Sequence, residues 1–330
     1  MALPRTLRRI PVAALAVACA AAGPAACSGD GSGRTAKGTR TAKAPPTATP
    51  SPSPSGAVSV PPLRLKSPAP VGGEGSRLTW PTLDMVGVPR GKPLRSSGPI
   101  TVRRNGTVID GLRVSTEINV DADNVTIRNT RVLGSGQWAI IQRKGRSGLR
   151  VENSEISGDG RTKTQYGILN QGGTMTARRV HVHTVSNGIV TDHGLVEDSV
   201  IRKLKEYPGD HVTAFQSNGS PAPGLSLVVR HSVLLNPVAQ TSAISIYQDF
   251  SRARDVTITG NLLGGGGYAV YGGKGRFGAP TNIRITRNAF SRDHFGKGGR
   301  YGPVTAWDPA GKGNVWKDNV WADTGRPVRP

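Results

Sequence analysis

His211, Tyr247 and Lys274 are the side-chain types that proton abstraction beside a carboxylate requires: a base, a phenolic proton donor and a cation. Arg276 supplies a second cation two residues after Lys274. In elimination from a uronate polymer, the base removes the C5 proton while the cation stabilises the carboxylate-bearing anion. Glycoside hydrolysis instead needs two carboxyl groups at a set separation. Asp192, Asp210, Asp249 and Asp308 are available, but only Asp192 falls on a clearly outward strand position. Elimination therefore ranks above hydrolysis.

Tyr247 and Asp192 belong to a five-residue strand that recurs along the chain, and Lys274 lies just beyond one copy of it. Its copies are Ala139-Ile-Ile-Gln-Arg143, Gly167-Ile-Leu-Asn-Gln171, Gly188-Ile-Val-Thr-Asp192 and Ala214-Phe-Gln-Ser-Asn218. Ala243-Ile-Ser-Ile-Tyr247, Ala269-Val-Tyr-Gly-Gly273 and Pro303-Val-Thr-Ala-Trp307 follow. The second column is always apolar and must face inward, so columns three and five are expected to face outward. In the later coils they hold Gln216, Asn218, Ser245, Tyr247, Tyr271, Thr305 and Trp307. In register, Tyr271 would lie beside Tyr247 and, one coil on, Trp307. Ring faces that stack on apolar sugar faces, beside amides that bond hydroxyls, suit a carbohydrate. The expected substrate-binding set is Asp192, Gln216, Asn218, Gln248, Asp249, Tyr271, Arg276 and Trp307, with the groove in the C-terminal half.

A second repeat must position this strand. It reads Val125-Thr-Ile-Arg-Asn-Thr-Arg-Val132, Leu149-Arg-Val-Glu-Asn-Ser-Glu-Ile156, Val256-Thr-Ile-Thr-Gly-Asn-Leu-Leu263 and Ile283-Arg-Ile-Thr-Arg-Asn-Ala-Phe290, with further copies between. Apolar residues at positions one, three and eight alternate like a strand around a central bend. From Ile109 to Trp316 there are eight steps over 207 residues, one copy about every 26. A unit this short cannot bury its own apolar face, so copies must stack. No Ala/Leu-rich amphipathic run offers a helical alternative. The expectation is an all-β, single-stranded right-handed parallel β-helix of about nine coils.

Residues 1–27 read as an export signal, with Arg5, Arg8 and Arg9 before a short apolar run. The run ends in Pro24-Ala-Ala-Cys27, which resembles a lipobox and marks Cys27 for lipidation. Residues 28–76 are a Pro/Ser/Thr/Ala-rich tether with too little apolar bulk to fold. Residues 77–330 form the β-helix domain. Both cysteines, Cys19 and Cys27, precede it, which excludes disulfides, thiolate metal sites and a Cys nucleophile there. The protein is expected outside the cell, lipid-anchored or secreted, touching membrane only through its lipid.

The whole chain carries a net charge of +22. Nine of its 43 Lys and Arg and two of its 21 Asp and Glu precede residue 77, leaving the domain with 34 basic and 19 acidic residues, near +15. Such a balance favours anionic partners, an acidic polysaccharide above all. No nucleic-acid motif accompanies the charge, so nucleic acid is not expected. His181 and His183 share a strand face without a third ligand in sequence, so no metal site is expected among the histidines; stacked Asp could hold Ca²⁺. Asn129, Asn153, Asn261 and Asn288 read as bend residues or ladder-forming amides. Asp255 and Asp318 read as turn residues.

Gly106-Thr-Val-Ile-Asp-Gly111, Asp123-Asn-Val-Thr-Ile-Arg-Asn129, His211-Val-Thr-Ala-Phe-Gln216, Thr241-Ser-Ala-Ile-Ser-Ile-Tyr-Gln-Asp249 and Gly264-Gly-Gly-Gly-Tyr-Ala-Val-Tyr271 carry a resemblance. With these motifs the chain resembles actinobacterial right-handed parallel β-helix proteins, relatives of the pectate-lyase-like superfamily. The resemblance implies polysaccharide chemistry: lyase, hydrolase or epimerase. Many relatives carry His-x-Asp-Gly-Ile-Gln where this chain has His211 to Gln216, with Thr213 in place of the Asp. The first expectation is therefore a lyase-like depolymerase of an acidic polysaccharide, and the alternative a non-catalytic carbohydrate- or cell-wall-binding lipoprotein, in either case a monomer.

Overall fold

The computed structural model describes Thr79–Pro330; the expected export signal, Cys27 and the expected tether lie outside the described residues. Within the strongest copies of the longer repeat, positions one, three and eight are sealed inside. Val125, Ile127 and Val132 have no exposed surface, nor do Val256, Ile258 and Leu263. Each such side chain contributes roughly 1.5–3 kcal/mol of burial.

Position five makes the bend. Gly111, Asn129, Asn153, Arg179, Asp198, His231, Gly260, Arg287 and Asp318 all hold a left-handed backbone, with φ between 42° and 68°. Gly and Asn tolerate that region best, which explains their recurrence at this position. The bend divides each copy between two sheets, as with Thr126–Arg128 and Arg131–Gly134.

Three sheets result. Sheet 1 has ten strands, from Arg95–Ser97 to Val320–Trp321. Sheet 2 has nine, from Ile100–Val102 to Gly302–Thr305, and sheet 3 nine, from Val108–Asp110 to Val315–Lys317. The chain visits sheets 3, 1 and 2 in turn, pairing each strand in parallel with its counterpart one coil on. No helix occurs among the described residues. This is a right-handed parallel β-helix, the hand that parallel crossovers adopt.

Position six builds an interior polar ladder. Ser232 N donates to Asn261 Oδ1, Asn261 N to Asn288 Oδ1 and Asn288 N to Asn319 Oδ1, each at 3.0 Å. In earlier coils Thr130 N reaches Ser154 Oγ and Ser199 N reaches Ser232 Oγ, both at 3.1 Å. These bends thus place a buried amide on a side chain of the next coil, which satisfies groups that water cannot reach.

The outer face of sheet 1 carries an apolar column, Val200, Val233, Leu262, Ala289 and Val320, against which Trp80 and Val86 pack. The segment before the first strand covers this column. Gly87 N donates to Arg179 O at 2.9 Å, and Thr79 O lies 2.8 Å from His231 Nε2.

Candidate functional site

The second column of sheet 2 stacks as its apolar character requires. Ile140, Ile168, Ile189, Phe215, Ile244, Val270 and Val304 are successive partners. Column one also turns into the core through Ala139, Ala214, Ala243 and Ala269. A Cβ on Gly167 there would stand 2.6 Å from Gly188 O, so the column must be small. Two inward residues in succession break the simple alternation. The residue before column one is thereby turned outward to join column three.

That extra outward column is the main feature missed by reading columns one to five alone. It contains Trp138, Tyr166, Asn187, Thr213, Ser242 and Tyr268. Its signal was an aromatic or polar residue before each small one. In the early coils Trp138 and Tyr166 pack on Ile141, Leu169 and Val190, an apolar patch separate from the interior.

In the later coils the same columns bring tyrosines together. Tyr247 and Tyr271 have ring centroids 5.6 Å apart, Tyr268 and Tyr271 6.0 Å, and Tyr268 and Tyr301 5.8 Å. Tyr301 is 64% exposed and forms the open edge. Burial pushes the Tyr247 phenol up to about 12 and raises that of Tyr271, so both stay protonated at neutral pH.

Beyond column five a polar loop borders the cluster. Asp192 Oδ1 accepts from Ser217 Oγ at 3.0 Å, Asn218 N at 2.7 Å and Gly219 N at 3.0 Å, so it anchors the turn. Gln216 Nε2 donates to Asn218 Oδ1 at 2.5 Å. Burial raises the Asp249 pKa, and the charge of Asp192 adds to this while Arg276 opposes it. Arg276 donates to Asp249 O and lies over the Phe277 ring at 5.0 Å. Gln248 is buried, with Nε2 donating to Gly273 O at 2.6 Å and Gly278 O at 2.9 Å, while Oε1 accepts from Phe277 N at 2.8 Å. Its amide is spent holding the loop that bears Lys274.

The proposed acid–base set does not form a contacting group. His211 is exposed and makes no side-chain hydrogen bond among the described residues, Tyr247 is largely buried, and Lys274 is exposed on its loop. Asp210 turns inward to Lys163 and Ser186, the latter at 2.5 Å. Trp307 also departs from expectation. Ala306 has φ of 53°, which interrupts the alternation, and Trp307 packs on the core beside Trp316 with centroids 5.8 Å apart. Tyr271 pairs instead with Thr305.

Among the described residues no group of three or more His, Cys, Asp or Glu is arranged to hold a metal ion. His183 does find a neighbour that sequence spacing hid: Glu155, one coil away, with Nε2 3.4 Å from Oε1. No family model, curated protein or solved structure matches the chain.

Proposed function

We propose that this protein is a polysaccharide-binding β-helix, presented outside the cell, whose ligand lies along the outer face of sheet 2. The chained cluster of Tyr247, Tyr268, Tyr271 and Tyr301 supports this reading. Exposed ring surface can stack on sugar faces, while nearby Gln216 and Asn218 offer amide groups to hydroxyls. The motif resemblance to pectate-lyase-like proteins and the lipobox-like Cys27 fit the same picture of a surface-held glycan binder. The test is retention of the full-length protein on gels containing pectate, alginate, hyaluronan, chitosan or dextran. Retention lost in Tyr271→Ala and Tyr301→Ala supports the reading; retention by none of these polymers ends it.

A lyase-like depolymerase is the second reading, favoured by the protonated Tyr247 phenol beside a loop carrying Lys274 and Arg276. Its test is ultraviolet absorbance of an unsaturated uronate product, with and without Ca²⁺. Activity abolished in His211→Ala and Lys274→Ala would place this chemistry above simple binding.

A further inference from the structure

At the other end of sheet 2, the first coils form a cleft of about 420 Å³ lined by Thr101, Arg103, Asn119, Asp121, Arg143 and Lys144. Its walls continue columns three and five: Asn119 pairs with Ile141, and Asp121 and Arg143 follow the paired Val120 and Gln142. The cleft is therefore part of the face that bears the tyrosines. Arg143 and Tyr247 stand four coils apart, about 19 Å at ~4.8 Å per strand.

Several cations on the neighbouring sheets are paired with carboxylates, whereas those lining this cleft converge without one as partner. On sheet 3, Arg178 and Arg230 share Glu197, and Arg128 meets Asp110 at 2.9 Å. On sheet 1, Arg131 meets Glu155 at 2.8 Å. In the cleft, Arg103 and Lys144 meet no carboxylate among the described residues. Arg143 gives Nε to Asn119 Oδ1 at 2.8 Å and stacks over Trp138 at 4.7 Å, which fixes its plane. Its terminal nitrogens have no acceptor among the described residues. The one carboxylate of the cleft, Asp121, is already held by Arg146 at 2.9 Å.

We infer that this cleft is an anion subsite that takes single oxyanions, carboxylate or phosphodiester, carried along a glycopolymer. A fixed guanidinium with free outer N–H groups, flanked by two exposed cations, suits such a group. The inference deepens the polysaccharide-binding reading and rests on it for the polymer's course along the face. Duplex nucleic acid fits poorly. Beyond the cleft the outward columns hold Ile141, Leu169 and Val190, then Gln171 and Asp192, so no cationic stripe follows a phosphate every ~3.4 Å per strand.

The experiment titrates the full-length protein with pectate, a glycerol-phosphate polymer, dextran and duplex DNA over a range of salt. It compares Arg103→Gln/Lys144→Gln with a control of equal charge on a sheet 3 strand and the bend after it, Arg284→Gln/Arg287→Gln. The cleft variant is expected to weaken an anionic polymer by ~10-fold or more and flatten its salt dependence, whereas the control changes it by less than ~2-fold. The polymer that responds identifies the oxyanion. Equal losses in both variants, no loss in the cleft variant, or tighter binding of DNA than of either polymer overturns the inference. Tyr271→Ala separates the two claims: a loss there with an unaffected cleft variant leaves the binding reading standing alone. The opposite pattern leaves only the anion subsite, and binding of no polymer removes both.

Discussion

Tyr247 and Tyr271 meet edge to face on the outer side of sheet 2, with their ring planes at 63°. They are 24 residues apart in the chain, brought into contact because Ser245 and Tyr271 are register partners. Tyr271→Ala is expected to weaken glycan binding by about 1–2 kcal/mol, close to a tenfold loss, and Tyr271→Phe by less. Titration against the polymer retained best checks this, and an unaltered affinity in Tyr271→Ala sinks it.

The interior ladder predicts a stability effect far from the binding face. Asn288 is fully buried, donates Nδ2 to Ile258 O at 2.9 Å and accepts from Asn261 N at 3.0 Å. Asn288→Ala leaves these buried groups without a partner, at a cost of about 1–3 kcal/mol. Denaturant unfolding should show a lower midpoint, with Asn288→Asp no milder, because a buried carboxylate would face the oxygens that Nδ2 now bonds.

Gly167 gives a steric prediction. Its missing Cβ leaves room for Gly188 O on one side and Val182 Cγ1 on the other, at 2.6 and 2.7 Å from where that atom would stand. Gly167→Val should destabilise by about 1–3 kcal/mol or block folding. Unchanged thermal unfolding in that variant would show that the corner of sheet 2 can shift.

Acid should loosen sheet 1 in two stages. Burial, then the charge of His183, pulls His181 from 6.5 down to about 4. A histidine kept neutral by the fold contributes stability above its unfolded pKa, and that contribution is lost as pH falls from 6.5 through 4. The hydrogen bond from His183, with the charge of Arg131, holds Glu155 at about 2 instead of 4.5. Its contribution is present above 4.5 and is lost as pH falls through 2. The thermal midpoint should therefore decline from pH 6.5 downward, and His181→Gln should remove the upper stage while leaving the lower one.

The coil count, the inward residues and the bends were legible because each depends on local rules that recur. Apolar alternation places Ile127 and Ile140 inside, and Asn129 and Asp318 take the left-handed bend that their side chains tolerate. Asn261 and Asn288 read as bend residues or ladder-forming amides, and they form the ladder. The Tyr247–Tyr271 contact followed from register. Trp307 did not follow, because a single positive φ at Ala306 reversed the face of the next residue. Gln248 looked like a ligand-binding amide until the loop backbone filled both its ends.

The amino-acid sequence by itself determined that a repeat too short to bury its own apolar side must stack, and hence that the chain winds into a parallel β-helix. Only the tertiary structure decided which side chains share a surface. The two inward residues at the corner of sheet 2 bring Trp138, Tyr166 and Tyr268 onto the outer face, and the neighbour one coil away decides which cations are paired. Arg178 and Arg230 find Glu197, while Arg103 and Lys144 find no carboxylate among the described residues. Such pairings join residues separated by whole coils of variable length, so they depend on register between strands and not on spacing within one.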